Sequence, residues 1–383
     1  MSAGDSKASA SASAGVGSPD VFGNLDHTKV IREVWCHNLK QEMEMIMDLV
    51  DDYPYIAMDT EFPGIVARPV GPFRNSQEYH YRLLKCNVDL LKIIQMGLCF
   101  CDEQGRLPPG VCVWQFNFRF DLSEDMYARD SIEFLKKSGI NFERHAKEGI
   151  DVMEFAEVLI SSAIVLNDDV KWVTFHSGYD YGYLLRLLTC EKLPEAEEAF
   201  FELLKTYCPC VYDVRFLMKS CDLKGGLSGV AASHGIKRCG PQHQAGSDSL
   251  LTQAVFFHLR DRYFKGKLDD QLHMNHLYGL GSGPKASSTP SPSSGSGAGG
   301  KTGSGAETAS KAHTHNGSGS GSAAGKKTVP EAGSTGAING GTASSGESKG
   351  MAASSRSGTD SDTKGATSLA AEGKKSQAEA KRE

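Results

Sequence analysis

Hydrophobic and polar positions change period along the first 280 residues, and the changes give an order of elements. Across residues 30–50, Leu39, Met43, Ile46, Met47 and Val50 recur at helical spacing. Asn38 precedes the stripe with Gln41 three residues on, the spacing of a capping box, so a helix is expected over 30–50. Asp51-Asp52-Tyr53-Pro54 ends it, and an apolar run rising to Asp59 predicts a strand over 55–61. Pro69, Pro72, Gly64 and Gly71 mark a loop over 64–76. Residues 79–93 read as a helix with Leu83, Leu84, Val88 and Leu91 inward, and Ile94 just beyond. The runs 95–101 and 111–118 flank turn material and predict an antiparallel hairpin. Helices are expected over 130–137 and 151–162, and a strand over 171–175. A helix then opens near Asp180, followed by helix 193–205, strand 210–213 and a helix to Ser220. A Gly-interrupted helix over 227–233, a loop over 240–246 and a long helix over 247–263 complete the series. Strands first, then strands alternating with helices, predict an α/β sandwich around a mixed sheet.

Composition sets the limits of that unit. No aromatic residue follows Tyr278, and residues 281–383 are mostly Gly, Ser, Ala, Thr and Lys. Such a stretch cannot bury enough apolar surface to offset its ordering entropy, so a disordered C-terminal tail is expected. Residues 1–20 read as a similar leader, which leaves 21–280 as one globular domain. Residues from 281 carry 12 Lys/Arg against 8 Asp/Glu, and those before them 29 against 39. An acidic body argues against a broad nucleic-acid surface, though not against a site that recruits cations to meet phosphate. The ten cysteines include no CxxC pair and are expected as free, mostly buried thiols. With no signal peptide and no apolar run of membrane-spanning length, a cytoplasmic or nuclear location fits.

Candidate chemistry starts at Asp59 and Glu61. On a strand, residues two apart share a face, so the two carboxylates project side by side. Their mutual repulsion is relieved by a divalent cation, and hard oxygen ligands suit Mg²⁺ or Mn²⁺. Two solvated acids at a strand end are the plain alternative. Asp180 and Asp248 stand at helix starts, where an acid also complements the helix dipole. His243 lies in the loop Gly240-Pro241-Gln242-His243-Gln244-Ala245-Gly246, five residues before Asp248, and is expected to swing toward whatever Asp248 holds. Phe62 follows the acidic pair. It is placed either to stack on a nucleotide or to pack in the core.

The order Asp59-x-Glu61, Asp180, His243-x4-Asp248 resembles the DEDD exonuclease superfamily in its His-bearing branch. Met58-Asp59-Thr60-Glu61-Phe62-Pro63-Gly64, Trp114-Gln115-Phe116-Asn117-Phe118, Phe175-His176-Ser177-Gly178-Tyr179-Asp180 and the segment from Gly240 to Leu251 resemble one family within it. It is the Caf/Pop-type deadenylase, the ribonuclease subunit of the Ccr–Not complex. The resemblance implies an RNase H-like fold and 3′-to-5′ shortening of messenger RNA poly(A) tails with release of AMP. It also implies docking on the large Not scaffold, and association with a second deadenylase and with antiproliferative adaptor proteins. For such chemistry Asp59, Glu61, Asp180 and Asp248 would hold two divalent ions, and His243 would take a proton from the attacking water. The segment from Ser220 to Gly226 is a residue shorter than the family pattern, and the tail has no counterpart in it. A related exonuclease acting on other RNA or on DNA, and a scaffold with a vestigial site, are the competing readings.

Overall fold

One sheet organises the chain, and its central strand is the one that carries the acidic pair. The structure, a computed structural model, describes residues 25–281. The leader and tail inferred from composition lie outside the described residues, apart from Gly281. In chain order the strands are β1 (Ile31–Val34), β2 (Tyr55–Glu61), β3 (Gln95–Cys101), β4 (Val113–Asn117), β5 (Lys171–Thr174) and β6 (Cys210–Asp213). They lie side by side as β1-β4-β3-β2-β5-β6. The hairpin β3–β4 is antiparallel, as its turn material predicts, and β2 pairs antiparallel with β3, placing Asp59 opposite Gly97 and Glu61 opposite Gln95. Strands β2, β5 and β6 run parallel, as do β1 and β4, so the sheet is mixed.

The helices are α1 (His27–Val30), α2 (Leu39–Leu49), α3 (Ser76–Leu90), α4 (Arg129–Lys137), α5 (Phe142–Glu148), α6 (Val152–Ile160), α7 (Gly178–Thr189), α8 (Glu197–Tyr207), α9 (Val214–Ser220), α10 (Leu227–Ser233), α11 (Ala245–Phe264) and α12 (Asp270–His273). Side-chain alternation on β2 splits the core in two. Ile56 and Met58 join a cluster with Leu39 and Ile46 of α2, Val88 of α3 and Leu184 of α7. Ala57 faces the other way and joins Leu251, Val255 and Leu259 of α11. Asp59 and Glu61 share the face of Ala57 by strand period, so they point toward the side on which α11 packs.

The largest departure from the pattern lies at residues 30–50, which are not one helix. A turn of α1 gives way to β1, which pairs with β4 from Ile31 opposite Val113 to Val34 opposite Phe116. Pairing with a strand some eighty residues away outweighs the local signal, and the helical stripe in fact begins only at Leu39. The Asn38 side chain does not cap α2. It accepts the Trp35 N–H at 2.8 Å and donates to the Glu33 carbonyl at 3.1 Å, closing the turn from β1. Met47, assigned to the stripe, is 45% exposed. Helix α3 starts at Ser76 because Asn75 caps it, accepting the Glu78 N–H at 2.8 Å. Helix α5, capped by Asn141, was not apparent from the pattern. The ten cysteines are free thiols, five of them buried.

Candidate active site

Three elements bring the five polar residues to the carboxyl end of β2. Asp59 and Glu61 come directly from that strand, 5% and 0% exposed. Asp180 comes from the first turn of α7. The family-like turn before it is held by Asp213, fully buried at the end of β6, which accepts the N–H groups of His176 and Arg215, each at 2.9 Å. His176 adopts the left-handed region with φ 58° at that turn. Ser177 precedes α7 but makes no side-chain cap bond. Instead Asp180 Oδ1 accepts two bonds from Thr60, from its N–H at 2.8 Å and its hydroxyl at 2.6 Å. Thr60 lies between Asp59 and Glu61, so this carboxylate is fastened to the strand that carries the other two.

Asp248 and His243 come from α11 and the loop before it. Asp248 is 5% exposed in the first turn, and its Oδ2 accepts the backbone N–H of His243 at 3.0 Å. That bond closes the loop onto the helix. His243 takes a left-handed backbone, φ 61°, and its half-buried ring meets the ring of Phe134 on α4. The swinging loop expected from sequence is therefore tied at its backbone and flanked at its ring. Glu61, His243 and Asp248 each offer a ligand atom, and those atoms all lie within 4.8 Å of one another. The two carboxylates of this group are the hard oxygen donors that suit a divalent cation such as Mg²⁺ or Mn²⁺, with the imidazole beside them. Asp59 shares the strand face of Glu61, and Asp180 is tied to Thr60 between them.

Two residues of the site differ from, or are absent from, the sequence reading. Phe62 is 1% exposed and stacks on Tyr179, with ring centroids 5.0 Å apart and planes at 14°. It packs against Tyr183 as well, at 5.4 Å. A ring enclosed in this way has no face open to a base, which corrects the nucleotide-stacking assignment in favour of core packing. Arg238 was not singled out. Its guanidinium lies 2.7 Å from Asp248 Oδ1 and donates to the hydroxyls of Ser247 and Ser228, each at 3.0 Å. Ten residues separate it from Asp248, with a Gly-Pro turn between them, and no local spacing signal marks it.

This architecture is RNase H-like, and Glu61, His243 and Asp248 gather at the end of its central strand. Residues 34–158 match the CAF1 family ribonuclease model. The chain is 53% identical over 263 residues to poly(A) ribonuclease pop2 of Schizosaccharomyces pombe, covering 68% of this chain and 78% of that one. Among solved structures it is similar to S. pombe Pop2p in its Mg²⁺- and Mn²⁺-bound form, with a TM-score of 0.64 and 53% identity, over 65% of this chain and 99% of that one. It is also similar to a yeast structure of the NOT1 MIF4G domain co-crystallised with CAF1, at TM-score 0.56 and 32% identity, over 65% and 96% of the two chains. The chain belongs to the CAF1 family of ribonucleases.

Proposed function

We propose that this chain removes adenylate residues from the 3′ end of single-stranded poly(A), releasing 5′-AMP, as a catalytic subunit of a Ccr–Not-type complex. The observation that carries the reading is the convergence of Glu61, His243 and Asp248 within 4.8 Å, beside Asp59 and Asp180. The similarity to a poly(A) ribonuclease and to a CAF1 seen with NOT1 supports the substrate and the scaffold partner. A second deadenylase and antiproliferative adaptors as partners, and action in both cytoplasm and nucleus, complete the proposal. The catalytic unit is residues 21–280, with 1–20 and 281–383 as accessory segments.

Asp59, Glu61, Asp180 and Asp248 would hold two divalent ions, with Asp59 at the start of the acidic pair. Mg²⁺ and Mn²⁺ bound to the S. pombe relative support that choice of metal. Ions held there would supply activation of the attacking water and charge stabilisation at the departing 3′-oxygen. Thr60 keeps the Asp180 carboxylate in line with the strand that bears the acidic pair. His243 accepts the proton released by the attacking water, the role of a positioned general base. The Asp248 bond to the His243 backbone N–H holds the residue at the site, and Phe134 flanks its ring.

The test is incubation of the purified chain with 5′-labelled RNA ending in an A-tail, in Mg²⁺ or Mn²⁺. The tail should shorten one nucleotide at a time, AMP should appear, and excess EDTA should stop both. Equal rates on double-stranded DNA would favour the broader exonuclease reading. A chain silent under all metal conditions would favour the scaffold reading.

A further inference from the structure

The helix that carries Asp248 begins without a cap of its own. Gln244, at the N-cap of α11, makes no side-chain cap bond. The first N–H groups of a helix need acceptors, and here the sheet provides them. The Gly246 N–H donates to Gln115 Oε1 at 2.8 Å, and the Ala245 N–H donates to Gln95 Oε1 at 3.4 Å. Both glutamines are buried, Gln115 on β4 and Gln95 on β3.

Behind them the two paths meet at one carboxylate. Gln115 Nε2 donates to Glu33 Oε1 at 2.9 Å. Gln95 Nε2 donates to Asn117 Oδ1 at 2.8 Å, and Asn117 Nδ2 donates to Glu33 Oε2 at 2.7 Å. Thus Glu33, on the edge strand β1, anchors two hydrogen-bonded arms that end on consecutive peptide groups of α11. Every amide in the arms passes on the same polarity, with oxygen toward the helix, so each bond strengthens the next and the negative end faces the positive helix terminus. The seat is also close. A Cβ on Gly97 would lie 2.1 Å from the Ala245 carbonyl oxygen, and one on Gly246 would lie 3.0 Å from Gln115 Oε1. The first turn of α11 rests on the backbone of β3 and the side chain of Gln115.

We propose that Glu33 and Gln115 are positioning residues for catalysis, fixing the register of the segment from His243 to Asp248 against β2. The inference rests on the roles given to His243 and Asp248 in the proposed function. Neither Glu33 nor Gln115 touches the reacting groups. Their effect comes through where α11 starts, and a displacement of about 1 Å at such a site lowers turnover on the order of 10²-fold.

The experiment compares Gln115→Met, Gln115→Glu and the double variant Glu33→Gln/Gln115→Glu with the native chain. Each is assayed by single-turnover cleavage of A-tailed RNA, RNA titration for KM, calorimetric titration of Mn²⁺ and thermal melting. Gln115→Met keeps the volume and loses both bonds. It should stay folded at assay temperature, bind RNA with native KM, lower kcat on the order of 10²-fold and weaken Mn²⁺ binding. Gln115→Glu sets two carboxylates against each other and should also lower kcat. The double variant rebuilds the arm with donor and acceptor exchanged. The amide introduced at position 33 then donates to the carboxylate introduced at position 115, which still accepts from Gly246. It should recover kcat to near the native value. A role in stability alone would move the melting temperature of Gln115→Met and leave kcat and Mn²⁺ binding at native levels, which overturns the proposal. So would a double variant no more active than Gln115→Glu. A native chain that cleaves no RNA would sink the proposed function instead, a result distinct from either.

Discussion

The ring of Phe134 meets the imidazole of His243 edge to face, with centroids 4.5 Å apart and planes at 63°. Phe134 is 39% exposed, and α4 is fastened to the site at both ends. The Ala128 N–H before it donates to the Pro63 carbonyl at 2.9 Å, just past the acidic pair, and Gln244 Nε2 donates to the Ser138 carbonyl at 3.0 Å. An aromatic pair of this kind contributes about 0.5–1.5 kcal/mol beyond area burial. Phe134→Ala should therefore leave Mn²⁺ binding intact and lower turnover about 2–12-fold by loosening the imidazole. Stopped-flow cleavage beside calorimetry reads both, and native turnover would show that the ring does not hold His243.

Asp59→Ala and Glu61→Ala should each give a folded protein without nuclease activity. Both acids are nearly fully buried beside other carboxylates, so removing one relieves repulsion rather than leaving a cavity lined with apolar atoms. Circular dichroism and melting should remain native or rise, while cleavage in Mg²⁺ or Mn²⁺ disappears. Native turnover in the Asp59 variant would remove it from the site.

His243→Ala should separate proton transfer from metal binding. A positioned general base contributes about 10²–10⁴ in rate, so turnover should fall by that order while Mn²⁺ still titrates onto the carboxylates. The rise of native turnover with pH should flatten in the variant. If the variant loses metal as completely as Asp59→Ala does, His243 is a ligand and not a base.

His145 provides a pH dependence of stability that is separate from the site. Burial pushes its imidazole down to about 4, against the opposing effect of its bond to the Phe118 carbonyl at 2.7 Å. Between the ordinary value near 6.5 and about 4, the unfolded chain binds the proton and the folded chain does not. Stability from this group is therefore present above that window and falls as pH drops through it, by about 3 kcal/mol at most. Urea melts at pH 7 and pH 4.5 should show the loss, and His145→Gln should reduce the difference. An unchanged difference would place the titration elsewhere.

Truncation after Gly281 should leave melting and turnover on free RNA at native values. The cut must not fall earlier. Leu277 and Leu280 belong to the core, and the Gly281 N–H donates to Glu197 at 2.8 Å. Unfolding of the chain ending at Gly281 would show that the later residues contribute to the domain.

What could be read in advance divides by range. The bounds of β3 and β6 follow from short apolar runs and turn residues on either side, and Asp59 and Glu61 share a face because strand period is a local property. The edge strand β1 was hidden because its four residues are strand-like only in the company of β4, and the helical stripe beyond Leu39 masked them. Phe62 could be core or subsite from its position alone, and only the rings of Tyr179 and Tyr183 decide it. Arg238 acts through partners supplied by the fold and no local spacing marks it, while Gln115 lies in a family-like stretch whose role shows only once its partners on β1 and α11 are in place.

The bond that Thr60 donates to Asp180 joins residues 120 positions apart, and α11 with the loop before it bears the last two of the five polar residues. The consequence is one of timing. A growing chain that has reached residue 240 holds all six strands but lacks His243 and Asp248, together with the helix that closes one of the two cores. Until α11 is made and laid on β3 and β4, the three earlier acids have no complete site to serve. With the roles proposed above, a ribonuclease built in this order would complete its site only when its own domain is nearly finished.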